Sequence, residues 1–225
     1  MFRHQDEVFV PIDRETIDGV RYYKVFGTEE LVRMPSITSV ISHRNRDKFK
    51  AWRAKVGDDV ANNITRKATH RGTDAHTLIE NYLNNVNELA EVLPLSQFLF
   101  KQAKPELNRI DNILCQETAL YSTELGIAGS VDCIAEFDGE LAIIDFKTSA
   151  KPKPRKWIED YFVQCAAYAC MLYEMKGIIT KKFVIIMTCE NGEVEVYEEY
   201  DKSKYIKLLI EYIREFTESK LREYA

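Results

Sequence analysis

The period of apolar positions changes several times along the chain, and each change predicts an element. EVFVPI (7–12) and VRYYKVF (20–26) are β-branched and aromatic runs joined by the Gly-containing DRETIDG, which predicts a β-hairpin. From Ser36 the pattern turns helical. Pro35-Ser36 suits a helix start, and the stretch to about residue 69 is polar with scattered apolar positions. Ala75, Leu78, Ile79, Tyr82, Leu83 and Val86 then recur at the i, i+3, i+4, i+7 spacing of a core-facing helix over 72–86. A further helix is expected at about 95–110.

Three strands follow: ILCQETALYS, IAGSVDCIAEF and ELAIIDFKTS, the last two joined by Asp138-Gly139, a strong hairpin dipeptide. A helix over 156–175 stops near Gly177, which suits a left-handed C-terminal position. KKFVIIMTC and EVEVYEEY pair across Asn191-Gly192, and an amphipathic helix covers about 202–222. The order predicts an α/β fold with a central mixed sheet flanked by helices. We expect one domain over 1–225, with a hairpin region at 1–35, a helical segment at 36–110, and sheet and helices at 111–225.

Composition adds limits. The 225 residues are 45% hydrophobic and 30% charged, ordinary values for a soluble protein. No apolar run approaches the roughly 18–20 residues of a membrane span. MFRHQDEVFV has neither an apolar signal core nor a transit pattern, so a cytoplasmic protein without membrane partners is expected. Cys115, Cys133, Cys165, Cys170 and Cys189 form no CxxC pair, which argues for reduced thiols and against a metal or iron–sulphur cluster.

The net charge of −5 conceals an uneven distribution. Residues 41–72 carry nine Lys/Arg against three acids, and residues 147–156 carry five against none. Residues 190–225 carry ten acids against six bases. This asymmetry predicts a basic groove on an acidic body, although either basic cluster alone also reads as a solvated helix face.

Candidate chemistry begins at IIDFKTS. Residues i and i+2 of a strand share a face, so Asp145 and Lys147 point one way, Ile144 and Phe146 the other. One strand earlier, GSVDCIAEF places Asp132 inside an apolar stretch. A register bringing Asp132 near Asp145 creates a two-carboxylate site with an adjacent lysine. Clustered carboxylates suit Mg²⁺ or Mn²⁺, which lower the pKa of bound water and stabilise a phosphoryl transition state. A bare D-x-K triplet equally fits a structural ion pair, His76 alone fits a structural histidine, and Gln164 with Tyr168 a satisfied polar pair.

Taken in order, R-G-x-x-x-H (Arg71 to His76), G-x-x-D (Gly129 to Asp132), D-x-K (Asp145 to Lys147) and Q-x-x-x-Y (Gln164 to Tyr168) resemble the RecB-like branch of the PD-(D/E)XK nuclease superfamily. The run GIAGSVDCIAEFDGELAIIDFKTSAKPKP carries the strongest likeness, to exonucleases of that branch, and residues 1–70 contribute little. The resemblance implies a restriction-endonuclease-like core. It implies His76, Asp132, Asp145 and the Phe146 carbonyl as metal ligands, Lys147 as the catalytic lysine, and Glu117, where relatives carry a glutamate ahead of G-x-x-D, as a catalytic residue with Asp132 and Asp145. Gln164 and Tyr168 would position the substrate strand or support the site. Some relatives hold an iron–sulphur cluster through a C-terminal cysteine group that this chain lacks, so none is expected. Without a transit pattern, a phage or bacterial homologue is expected.

For substrate, Arg44, Arg46, Lys48, Arg53, Arg66, Lys67 and Arg71 are candidate phosphate contacts, with Trp52 either stacking a base or anchoring the core. Thr148, Ser149, Lys151 and Lys153 follow the catalytic strand. The expected activity is a metal-dependent exonuclease on single-stranded DNA in replication, recombination or repair, with proteins of those processes as possible partners. A structure-specific or flap endonuclease and a non-catalytic DNA-binding module are the alternatives.

Overall fold

A computed structural model of the chain describes residues 1–26, 30–86 and 91–224. Two sheets organise them. The smaller is antiparallel, in the order β1 (Arg14–Ile17), β2 (Val20–Phe26), β3 (Leu31–Pro35). Its first turn is Asp18-Gly19, with φ of 50° and 77°, the two positive values that a type I′ hairpin demands. That turn corrects the expected hairpin. β1 is RETI, inside the stretch that reads as a loop, and EVFVPI forms no strand. Asp-Gly turn chemistry outweighs the β-propensity of EVFVPI, which has no neighbouring strand to pair with. β3 shows no alternation in the sequence because only Met34 of its five residues is buried.

Ser36 caps α1 (Ile37–Arg44) by accepting the Ser39 backbone N–H. α2 (Arg46–Val56) and α3 (Asp58–Leu83) are separated by Gly57, whose φ of 84° ends the first helix. α3 is unbroken for 26 residues, so the boundary expected near residue 70 is absent. Buried Ala75, Leu78, Ile79 and Leu83 anchor its second half, whereas α2 buries nothing and the start of α3 only Ala61. The basic helices therefore stand clear of the core. α4 (Pro94–Leu107) begins on a proline, whose fixed φ suits a first turn.

The larger sheet runs β4 (Ile110–Ser122), β5 (Ile127–Phe137), β6 (Glu140–Ser149), β7 (Lys182–Cys189), β8 (Val194–Glu199) in that spatial order. All pairs are antiparallel except β6–β7, which α5 (Glu159–Lys176) joins as a crossover. The predicted mixed sheet is present, with the Asp138-Gly139 turn in place. α1, α5 and α6 (Lys202–Tyr224) pack on one face, through residues such as Ile143, Phe162, Ile185 and Leu209. α3 and α4 cover the other through Leu78, Phe100, Ile144 and Phe146. β7 is buried at every position, as a parallel strand covered on both faces must be.

Candidate active site

The β5–β6 ladder runs from Phe137↔Glu140 to Cys133↔Ile144 and stops. One step further in the same register, Asp132 faces Asp145. Asp132 Oδ2 accepts the Phe146 backbone N–H at 2.9 Å, so a side chain takes over where the strand ladder ends. Beyond this point β5 remains paired with β4 and β6 with β7. The sheet opens into a fork with two carboxylates at its base.

Strand alternation sends Asp145 and Lys147 toward α5, as expected, and Ile144 and Phe146 toward α3. Asp145 is 1% exposed. Lys147 Nζ donates to Asp145 Oδ1 at 2.6 Å. Asp145 Oδ2 lies 2.5 Å from the same ammonium but makes no hydrogen bond. Burial pushes the Asp145 carboxyl up, opposed by Lys147 and reinforced by Asp132. Burial alone would lower the Lys147 ammonium, but Asp145 and Asp132 outweigh it and hold the lysine above its usual range. Lys147 is a fixed positive charge.

α3 delivers His76 from the opposite side of the fork. Its Nε2 is 3.0 Å from the Phe146 carbonyl, its Nδ1 3.2 Å from Glu117 Oε1 and 3.8 Å from Asp132 Oδ1. A carbonyl and a carboxylate only accept, so both ring nitrogens carry protons. Burial works against that imidazolium, but Asp132 and Glu117 prevail and the pKa is pushed up to about 9. Glu117 sits on β4 between the pairs Gln116↔Cys133 and Thr118↔Val131, facing Asp132. Its φ of 44° is left-handed, an unfavourable backbone for a glutamate and a form of strain that concentrates at functional sites.

His76, Glu117 and Asp132 offer ligand atoms within 4.8 Å of one another. These donors fit a hard divalent cation. The imidazolium supplies among the carboxylates the positive charge that a cation would bring. Asp145 lies outside that close group of three, its oxygens turned to Lys147, and Glu117 stands inside it.

A pocket of about 260 Å³ opens over the fork, lined by His76, Glu117, Asp132, Lys147, Gln164 and Tyr168. Gln164 Nε2 donates to the Tyr168 hydroxyl at 3.1 Å, both residues being buried on α5. Tyr168 packs onto Gly129, where a Cβ would meet Tyr168 Cε1 at 2.8 Å and Ile37 Cγ2 at 3.0 Å. That close approach is the physical content of the glycine in G-x-x-D. The pocket is completed by Arg14, Arg21, Tyr23 and Thr38, which sequence reasoning missed. The available signal was the alternation in VRYYKVF, which puts Arg21 and Tyr23 on one face.

The remaining candidates separate into groups. Arg46, Arg53 and Phe49 line a cleft of about 1030 Å³ between α1, α2 and α6. Arg53 also donates to Asp58 and Asn62. Trp52 is not among the cleft residues and lies against Phe49, ring centroids 5.4 Å apart. Arg44 is ion-paired with Glu215 and lies over the Tyr212 ring, which ties it to α6. Lys48, Arg66 and Lys67 are exposed on the projecting helices. Arg71 pairs with Glu190 and donates to Thr148 Oγ1 at 3.2 Å, at the end of β6. Ser149 Oγ donates to the Lys151 carbonyl at 2.7 Å. Lys153 donates to the Tyr161 hydroxyl at 2.6 Å, over the same ring that Lys147 approaches at 5.1 Å.

Comparison with known proteins bears on the family of the chain. The family model of the PD-(D/E)XK nuclease superfamily matches residues 44–223. Mitochondrial genome maintenance exonuclease 1 of Homo sapiens is 27% identical over 132 residues, 54% of this chain and 38% of that protein. The Xenopus tropicalis protein of the same name is 45% identical over 65 residues, 28% of this chain and 18% of its own. The match thus spans well under half of these relatives. A crystal structure of a candidate exonuclease from Eubacterium rectale is 12% identical, with a TM-score of 0.44, over 69% of this chain and 66% of that one.

Proposed function

The chain belongs to the PD-(D/E)XK nuclease superfamily, and on that premise we propose that it is a metal-dependent DNA exonuclease, hydrolysing phosphodiester bonds of single-stranded DNA from free ends in replication, recombination or repair. The observation that carries the reading is the fork: His76, Glu117 and Asp132 clustered within 4.8 Å beside a buried Asp145–Lys147 pair.

His76, Glu117, Asp132, the Asp145 carboxylate and the Phe146 carbonyl are the groups that would hold Mg²⁺ or Mn²⁺. When bound, such an ion acidifies water and stabilises charge on a phosphoryl oxygen. The chain's own residues do the rest. Lys147, kept protonated by Asp145 and Asp132, neutralises the charge that builds on the phosphate rather than accepting a proton. Asp132 fixes the Phe146 amide and with it the end of β6. Gln164, Tyr168 and Gly129 hold the pocket wall. Single-strand preference is supported by Phe49, which is half exposed in the cleft beside Arg46 and Arg53 and offers a ring to unpaired bases. The whole of 1–225 acts as one nuclease domain in this reading, and five free thiols suit the cytoplasm of a bacterial cell or phage-infected host. Among the described residues no helix is long and apolar enough to cross a membrane.

The test is turnover of an end-labelled single strand with Mg²⁺ or Mn²⁺, against chelated metal and against Lys147→Ala. Progressive shortening that requires both the metal and Lys147 is expected. A wild type that binds DNA yet cuts none of it with any divalent metal rules the enzyme out. Cleavage of a circular single strand replaces the exonuclease with an endonuclease.

A further inference from the structure

The small N-terminal sheet has two unlike faces. On the outer face Glu15 neutralises Lys24 at 3.2 Å and Arg33 at 2.6 Å. On the inner face the cross-strand pairs Arg14↔Tyr23 and Thr16↔Arg21 bring Arg14, Arg21 and Tyr23 together. Tyr23 is buried with Val25 and Met34 against Ala128 of β5, which docks the sheet on the rim of the fork. Arg14 and Arg21 are exposed and line the pocket over the carboxylates. Among the described residues, neither guanidinium makes a hydrogen bond or ion pair.

The two arginines line that pocket together, and each also borders a second space. Arg14 also lines an outer chamber of about 820 Å³ that includes His76 and Glu117. Arg21 also lines the basic cleft that holds Arg46 and Arg53. A strand that passes from the cleft through the pocket toward the outer chamber has Arg21 on the cleft side and Arg14 on the chamber side. A guanidinium presents a rigid fork of donors matched to phosphate oxygens, and one left without a carboxylate partner is free to take them.

We infer that Arg14 and Arg21 grip the phosphates on either side of the scissile one and so set the register of the strand over His76, Glu117, Asp132 and Lys147. The inference rests on the nuclease reading. It assigns a substrate-positioning role to a part of the chain outside the motifs that identify the family. The scissile phosphate itself sits against the carboxylate cluster and Lys147, in the centre of the pocket.

The experiment compares Arg14→Gln, Arg21→Gln and, as control, Arg33→Gln from the outer face. Binding of a short labelled single strand is followed by anisotropy with Ca²⁺, and turnover by KM and kcat with Mg²⁺ or Mn²⁺. Bis(p-nitrophenyl) phosphate serves as a diester with no flanking phosphate. Arg14→Gln and Arg21→Gln should each raise Kd and KM for the strand about tenfold or more, with kcat little changed. Each should make the log–log salt dependence of binding shallower by about 0.7. Arg21→Lys should recover part of the loss. Arg33→Gln and the small diester should be unaffected.

The inference is overturned if both inner-face variants behave like Arg33→Gln. It is also overturned if the small diester slows as much as the strand does, which puts the guanidinium on the scissile phosphate. A wild type that binds the strand but cuts nothing sinks the nuclease reading alone, and the anisotropy series still decides Arg14 and Arg21.

Discussion

His76 and Glu117 are bound to each other across the fork, imidazole Nδ1 to carboxylate Oε1 at 3.2 Å, while the other ring nitrogen faces the Phe146 carbonyl at 3.0 Å. The imidazolium holds together carboxylates that would otherwise repel. A cation that takes its place must expel a proton, because only the neutral ring has a lone pair for a metal.

Metal affinity should therefore fall with acidity. The His76 pKa is raised from 6.5 to about 9, so the ring is charged across neutral pH and becomes free of its proton only above that value. Below it, each unit of pH lost should weaken apparent Mg²⁺ or Mn²⁺ affinity by up to about tenfold. Calorimetry at pH 7.5 in two buffers of different ionisation enthalpy reads the released proton directly. Binding with no proton release would show that His76 is neutral or is not a ligand.

Lys147→Ala should cost about 10²–10³ in kcat, the loss typical of one electrostatic donor to a transition state. The fold should survive, because the Asp145 carboxyl, already pushed up by burial, can protonate when its partner is gone. Urea denaturation alongside the rate assay separates the two effects. A variant that is unfolded would show the ion pair to be structural above all.

Gly129→Ala should destabilise by about 1–3 kcal/mol, the usual cost of overpacking. The new methyl meets Tyr168 Cε1 at 2.8 Å, and Tyr168 is 1% exposed and packed in the core. Adding Tyr168→Leu to Gly129→Ala should recover part of the loss. Strict additivity of the two substitutions, measured by chemical denaturation, would mean that the glycine answers to something else.

At residue 117 glycine should be more stable than alanine by about 1 kcal/mol, since φ of 44° favours a residue without Cβ. Both Glu117→Gly and Glu117→Ala should lose metal affinity relative to wild type, as both remove the carboxylate. Equal stability of the two variants would show that the left-handed backbone relaxes freely.

How much of this was legible depends on the range of each interaction. Asp138-Gly139 and Asn191-Gly192 announce their hairpins because turn chemistry is local, and Asp145 with Lys147 share a face because strand alternation is. Asp18-Gly19 carries the same local signal and sets the first strand at RETI, although EVFVPI has the higher β-propensity. Arg44 reads as a phosphate contact until Glu215, far along the chain, is found beside it. Glu117 reads as a catalytic residue but not as a metal ligand until its position opposite Asp132 puts it inside the cluster.

The sequence by itself determined the order of elements from about residue 95 onward, the mixed sheet and the ordered set His76, Asp132, Asp145, Lys147, Gln164 and Tyr168. Periodicity, turn residues and motif spacing are properties of neighbours along the chain. Only the tertiary structure decided that β5 and β6 part at Asp132, that His76 meets Glu117, and that the N-terminal sheet closes the pocket with Arg14 and Arg21. Those contacts join residues far apart in sequence, and the last of them follows from how Tyr23, Val25 and Met34 bury themselves against Ala128 rather than from any local pattern.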